Sequence, residues 1–173
     1  MSCSLTSGFA VGCNDSIGGV KAFYIENMPS DMVIATNATG EATSITNTAA
    51  DMAYFKYECT SAQGAASTFN DNPTVNDQNG TSFFDQTATY VLNKMEQAKR
   101  NEVKMIARAK MTIIIEDNNG KYWLMGETNG VRLTSGEAGS GTALGDRNGY
   151  SLSFQAQEFE PMREVTEGAF PLA

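Results

Sequence analysis

"LMGETNGVRLTSGEAGSGTALGDRNGYSLSF", residues 124–154, holds seven glycines and two Asn-Gly pairs, with no proline. A run so rich in glycine is a phosphate cradle, a cation loop, or the set of turns that join strands, and each reading leads to a different fold. A phosphate cradle needs a strand, a glycine loop and then a helix whose N-terminus meets the anion. Gly139, Gly141 and Gly145 do not keep the G-x-G-x-x-G spacing, and no Gly-Lys-Ser/Thr occurs. The segment after the glycines reads as a strand: Tyr150, Leu152, Phe154 and Ala156 alternate with Ser151, Ser153, Gln155 and Gln157, the period of a sheet with one buried face and one wet one. Asp117-x-Asn119-Gly120 and Asp146-x-Asn148-Gly149 lack the further oxygen ligands and the closing glutamate of a calcium loop, so turn chemistry accounts for both.

Upstream, residues 111–116, 121–126 and 131–134 are short runs separated by Asn118-Asn119-Gly120 and Thr128-Asn129-Gly130. Asn-Gly tolerates the positive φ of a tight primed turn, so a three-stranded meander is expected here. Before it, Asn93 and Glu96 form an N-cap pair, and the spacing predicts a helix over about 94–109. Leu92, Met95, Ala98, Val103, Met105, Ile106 and Ala109 gather on its apolar side; Gln97, Arg100, Lys104 and Arg108 lie opposite. Residues 20–25, 31–36, 52–60 and 81–92 read as further strands. Residues 37–50 are small and polar. Residues 61–80 are polar, contain Pro73 and end on Asn79-Gly80, so they read as one long loop, as do residues 135–149 around their glycines. Loops of that length in a compact chain are usually functional or ordered by a partner.

The 173 residues fit a single domain, 1–173, able to bury a core without metal or disulfide. The expected architecture is mainly β (α+β): an antiparallel β-sandwich or barrel with one flanking helix. Net charge is −8 with a pI near 4.5, which argues against affinity built on neutralising nucleic-acid phosphates. Six of the twelve Lys and Arg residues fall between Lys94 and Lys110, a local basic face suited to solvent or a partner. Histidine is absent, which removes the usual base near neutral pH, the commonest metal ligand and any Ser-His or Cys-His pairing. Cys3, Cys13 and Cys59 lack C-x-x-C spacing and read as free thiols in a reducing cytoplasm. The opening "MSCSLTSGFAVGC" has no basic start or apolar run of a signal peptide, and no stretch reaches the ~20 apolar residues of a membrane span. No cofactor motif, metal set or catalytic constellation is present; Glu158 and Glu160 read as a solvated stripe rather than an acid/base pair.

The order of these turns, D-x-N-G-K-x-x-L-x-G from Asp117, then Asn129-Gly130, then G-x-x-x-x-D-x-N-G-Y from Gly141, together with "GGVK" at 18–21, resembles the tail tube and related virion proteins of bacteriophages. The likeness covers residues 81–160 and, more loosely, 17–60. It implies a virion protein made in the bacterial host cytoplasm, without catalysis, cofactor or membrane anchor. Such proteins assemble with copies of themselves in rings, commonly hexameric, that stack into a tube through which DNA passes without sequence-specific contact. Other tail or neck proteins would be neighbours. On this chain the implied subunit contacts fall in the two long loops: Phe69, Pro73 and Val75 in the first; Glu137, Leu144, Asp146 and Arg147 in the second. Other virion roles (ring, connector or decoration protein) share these turns. The alternative class is a monomeric β-sandwich that binds carbohydrate or another ligand on Trp123, Tyr122 and Tyr150. An enzyme is the third reading and has no residue set to support it.

Overall fold

The computed structural model describes residues 8, 9, 12, 14–49, 51–59 and 67–173. Its strands are β1 (Val20–Asn27), β2 (Met32–Thr36), β3 (Ala42–Asn47), β4 (Phe55–Glu58), β5 (Thr68–Asn76) and β6 (Thr81–Asn93). After the helix α1 (Gln97–Ile106) come β7 (Met111–Asp117), β8 (Tyr122–Met125), β9 (Arg132–Gly139), β10 (Gly149–Glu158) and β11 (Arg163–Val165). They form a seven-stranded sheet, in the order β2-β3-β11-β8-β7-β1-β4, and a four-stranded sheet, β5-β6-β10-β9. All pairings are antiparallel except β11 with β3. Neither sheet closes on itself, so of the two expected architectures the open sandwich holds and the barrel does not.

The core follows from alternation. In β10, Tyr150, Leu152, Phe154 and Ala156 are buried, as the sequence predicts, and meet Phe23 and Ile25 of β1 and Met111, Ile113 and Ile115 of β7 between the sheets. The other side of β1 and β7 is also covered. Ala22, Tyr24 and Ile114 pack with Ile45, Met52, Tyr54, Val165 and Phe170. The last residues clamp this second layer: Ile45 N donates to Ala169 O (2.7 Å), Tyr54 N to Pro171 O (2.9 Å) and Ala173 N to Tyr54 O (3.1 Å). Two-sided burial explains the unbroken apolar run Ile113-Ile114-Ile115, since a strand covered on both faces has no reason to alternate.

Several expectations are corrected. Residues 68–76, read as loop, are strand β5, in unbroken register with β6 from Thr68↔Thr89 to Asn76↔Thr81. Asn, Asp and Pro are poor strand formers, but an edge strand tolerates them, and Pro73 keeps the register when its hydrogen-free nitrogen faces outward. Residues 61–66 of that loop, and Cys3 and Cys13, lie outside the described residues. Residues 135–139 belong to β9, which leaves a loop of 140–148. The meander stops after one hairpin: β7 pairs with β8, but β9 lies in the other sheet beside β10. Residues 42–47, within the small, polar stretch 37–50, form β3.

The helix is shorter than predicted, Gln97–Ile106, with Glu96 rather than Asn93 at its N-cap. Asn93 ends β6, Lys94 turns through φ +63°, and Asn148 on the neighbouring connection takes the next amides: Lys94 N donates to Asn148 O (2.6 Å) and Met95 N to its Oδ1 (3.2 Å). Met95 and Met105 are exposed; Val103 and Ile106 alone of the predicted arc reach the core from within α1. Lys99 and Glu102 turn inward at the rim, where Lys99 Nζ donates to Asn93 O (2.7 Å) and Tyr57 OH to Glu102 Oε1 (2.7 Å).

Two buried carboxylates hold the sandwich. Glu116 is 3% exposed, on the clamped side of β7. A bulge between Val20 and Ala22 sets Lys21 beside it, as an extra residue re-aims a side chain. Lys21 Nζ and Tyr24 OH (2.8 Å) both donate to the carboxylate. Burial pushes the Glu116 carboxyl up, but these two hydrogen bonds and the lysine charge outweigh it and leave it below its ordinary value of 4.5. Glu158, expected in a solvated stripe, is also 3% exposed: its Oε1 accepts from the amides of Thr128 (3.1 Å), Asn129 (2.8 Å) and Gly130 (3.2 Å). Gln86 Oε1 accepts from Gly126 N (3.1 Å). Together they turn the chain out of the first sheet after β8 and into the second at β9, which is why the meander ends.

Because the folded carboxyl of Glu116 lies below its unfolded value, its contribution is complete above about pH 4.5 and is lost as pH falls through the folded pKa. Melting temperature measured against pH should therefore drop on the acid side, and Glu116→Gln should flatten that limb. Glu158→Ala takes the shared acceptor from three amides, of which that of Gly130 is buried, and should cost about 2 kcal/mol in urea unfolding.

Candidate functional site

The four-stranded sheet carries a projecting hairpin and a shaped loop; exposed apolar residues also lie on the larger sheet's edge strands, Val33 on β2 and Phe55 on β4. The edges of the four-stranded sheet are β5 and β9, each with one row of backbone groups unpaired among the described residues. Registers place its two connections at opposite ends. Gly149 faces Asn93, so the 140–148 loop sits at the α1 end; Glu158 faces Phe84, so the β5–β6 turn sits at the other. Each connection also belongs to a different edge strand. The sheet therefore presents two unlike corners, placed diagonally.

At the first corner the β5–β6 hairpin outruns its neighbour. Pairing of β6 with β10 ends at Phe84, whereas pairing with β5 continues to Thr81, so three further rows project by roughly 10 Å at ~3.3 Å per residue. Residues 72–82 are exposed throughout, and Val75 keeps 68% of its surface. Asn76 Oδ1 accepts from Gln78 N and Asn79 N, both at 3.1 Å, and Gly80 takes φ +63°, which gives the turn a defined shape. From Thr68 to Asn93 there is no Lys or Arg, only Asp71, Asp77 and Asp85. Asp71 accepts from Met162 N (2.7 Å) and Asp85 from Gln155 (2.7 Å), whereas Asp77 stands exposed at the tip.

At the second corner the 140–148 loop is built around Asp146, whose Oδ2 accepts from Thr142 N (2.8 Å), Ala143 N (2.7 Å) and Thr142 Oγ1 (3.1 Å). The amides of Ala143 and Thr142 hold its carboxyl below the ordinary value. Gly141 has φ +70°, and a Cβ there would come 2.2 Å from that of Asp146, so the close approach requires glycine. The loop displays Leu144, fully exposed, and Arg147. Beside it, α1 and β9 enclose a groove of about 850 Å³ with Leu133, Leu152 and Val103 in its walls and Arg100 and Lys104 on its helical side.

The seven contact residues expected from the sequence thus divide between the corners. Pro73 and Val75 are exposed on the β5 hairpin, and Leu144, Asp146 and Arg147 on the loop; Glu137 is exposed on β9. Phe69 differs: it faces inward, half-buried against the core, with its ring 6.5 Å from that of Trp123. The aromatic platform is not assembled. Trp123 packs toward the core between the sheets, Tyr122 toward the clamped layer, and Tyr150 is buried. Arg100, Lys104 and Val103 gain their place only because α1 returns over β9 and β10; the basic run was legible, but no local signal names the strands opposite. Cys59 is free and half-buried, and burial raises its thiol pKa. Among the described residues no helix is long and apolar enough to cross a membrane.

The chain is thus a mainly β protein of two stacked sheets with one short helix and no closed barrel. No family model matches it, and no curated protein or solved structure matches it significantly.

Asp146→Ala should speed hydrogen exchange at the amides of Thr142 and Ala143 while changing global stability by less than about 0.5 kcal/mol, since the site is solvent-exposed. A larger loss in denaturant unfolding would mean that the loop is tied to the core.

Proposed function

We propose that this protein is a structural subunit that assembles with copies of itself, of the bacteriophage tail tube type or a related virion component, and performs no chemistry of its own. The observation that carries the reading is the pair of unlike corners. A surface that pairs with a different surface makes head-to-tail contacts, which close into rings or continue as filaments. Two free edges on one sheet point the same way, because a monomer normally blunts or covers such edges and a neighbour that adds to them removes the hazard. Pro73 blunts β5, whereas β9 carries neither proline nor lysine.

Passage of DNA through such an assembly fits the outward face of the four-stranded sheet. Thr87, Thr89, Ser151, Ser153 and Gln155 supply hydroxyls and amides there, with Asp85 and Glu137 as acids against Arg132. A net charge of −8 on each copy repels the phosphate backbone, so DNA slides rather than adheres. Other tail or neck proteins are the expected neighbours at the ends of the assembly.

Negative-stain electron microscopy of the concentrated protein should show rings or tubes of uniform diameter. A strict monomer at every concentration and salt tested would refute the reading.

A further inference from the structure

We propose that the groove between α1 and β9 is the acceptor of the head-to-tail contact, and that its occupant is the projecting β5–β6 hairpin tip of a second copy. This rests on the self-assembly reading and names the surfaces that reading leaves open.

Charge complementarity selects the occupant. Arg100 and Lys104 are exposed on α1 and make no salt bridge among the described residues, whereas Lys94 and Lys99 already pair with Glu96. The groove's acids are Glu96, whose charge Lys94 and Lys99 already meet, and Glu137 on the β9 side. The hairpin is the stretch with no Lys or Arg from Thr68 to Asn93, and it carries Asp77 at its turn, without a salt bridge among the described residues. Its exposed apolar residue, Val75, matches a groove walled by Leu133, Leu152 and Val103.

Shape and position agree. The hairpin extends three paired rows beyond β10, a projection of roughly 10 Å that enters an open groove without unfolding either partner. Pro73 interrupts the outer edge of β5, so the hairpin offers side chains rather than a backbone ladder. Groove and tip lie at opposite ends of the same sheet, so a copy whose tip is engaged keeps its own groove open for the next. The contact therefore propagates instead of closing a two-fold dimer.

The test uses two variants of the full chain, each altered only at exposed positions: Arg100→Glu with Lys104→Glu, which spoils the groove, and Val75→Ser with Asp77→Asn, which removes the apolar side chain and the charge of the tip without creating a partner for the reversed groove. In sedimentation velocity the wild type should form species larger than dimers, weakened by added salt because exposed charges are screened. Each variant alone should associate at least about tenfold more weakly. An equimolar mixture should recover a dimer and nothing larger, because the tip variant supplies an intact groove and the groove variant an intact tip. Circular dichroism of each variant checks the fold separately. If both variants assemble like the wild type, the contact lies elsewhere and the self-assembly reading survives alone. If the mixture of folded variants stays monomeric, the groove-and-tip pairing is wrong. A wild type that is monomeric throughout removes the self-assembly reading and this inference with it.

Discussion

Strand β7 is covered on both faces, and the rest of the fold is arranged around that requirement. Met111, Ile113 and Ile115 need the four-stranded sheet; Ile114 and Glu116 need the layer closed by the C-terminal residues. Each isoleucine withdrawn from water contributes roughly 1.5–3 kcal/mol, so a β7 left bare on either side would forfeit several such contributions. The interaction of Glu116 with Lys21 and Tyr24 belongs to the same constraint. A carboxylate buried in the second layer is tolerable only when donors reach it, and the bulge in β1 brings one of them.

Movement of the chain between sheets is the second organising element. After β8 a meander would add β9 to the larger sheet and leave β10 with a single neighbour. The Glu158 carboxylate and the Gln86 amide instead bind the amides of Gly126, Thr128, Asn129 and Gly130 from the side of the smaller sheet. Gly130 has φ +72°, and an added Cβ would lie 2.6 Å from both Lys110 and Met28, so the bend also needs the glycine. The amides of Gly126 and Gly130 are buried, so loss of Gln86 or Glu158 takes the acceptor from an amide shielded from water, which makes the crossover specific rather than merely permitted.

Under the self-assembly proposed above, the arrangement of the smaller sheet matters because it leaves the edges β5 and β9 uncovered. The hairpin turn is pinned by Asn76 and the 140–148 loop by Asp146, so both corners have a defined shape within the single chain. Preshaped segments lose less conformational entropy on association than segments that order only when bound. That distinguishes these corners from the partner-ordered loops expected of residues 61–80 and 135–149: residues 68–76 and 135–139 are strand, and the 77–80 turn and the 140–148 loop carry their own hydrogen bonds.

The amino-acid sequence by itself determined the elements whose signal is local. The alternation from Tyr150 to Ala156 marked a half-buried strand, and the Asp117–Gly120 turn marked the β7–β8 hairpin. Basic charge around α1 was equally visible, because charge is a property of each residue alone. Only the tertiary structure decided which sheet β9 joins, that the polar stretch at 68–76 is an edge strand, that Asn148 rather than Asn93 satisfies the amides before α1, and that the basic helix faces an apolar groove. In each case the deciding partner is distant in the chain: Glu158 for the 128–130 turn, β6 for β5, the 140–148 loop for the helix start. Periodicity and turn propensity report what a segment prefers on its own, whereas buried amides and edge pairings are settled by whichever acceptor the completed fold brings within reach.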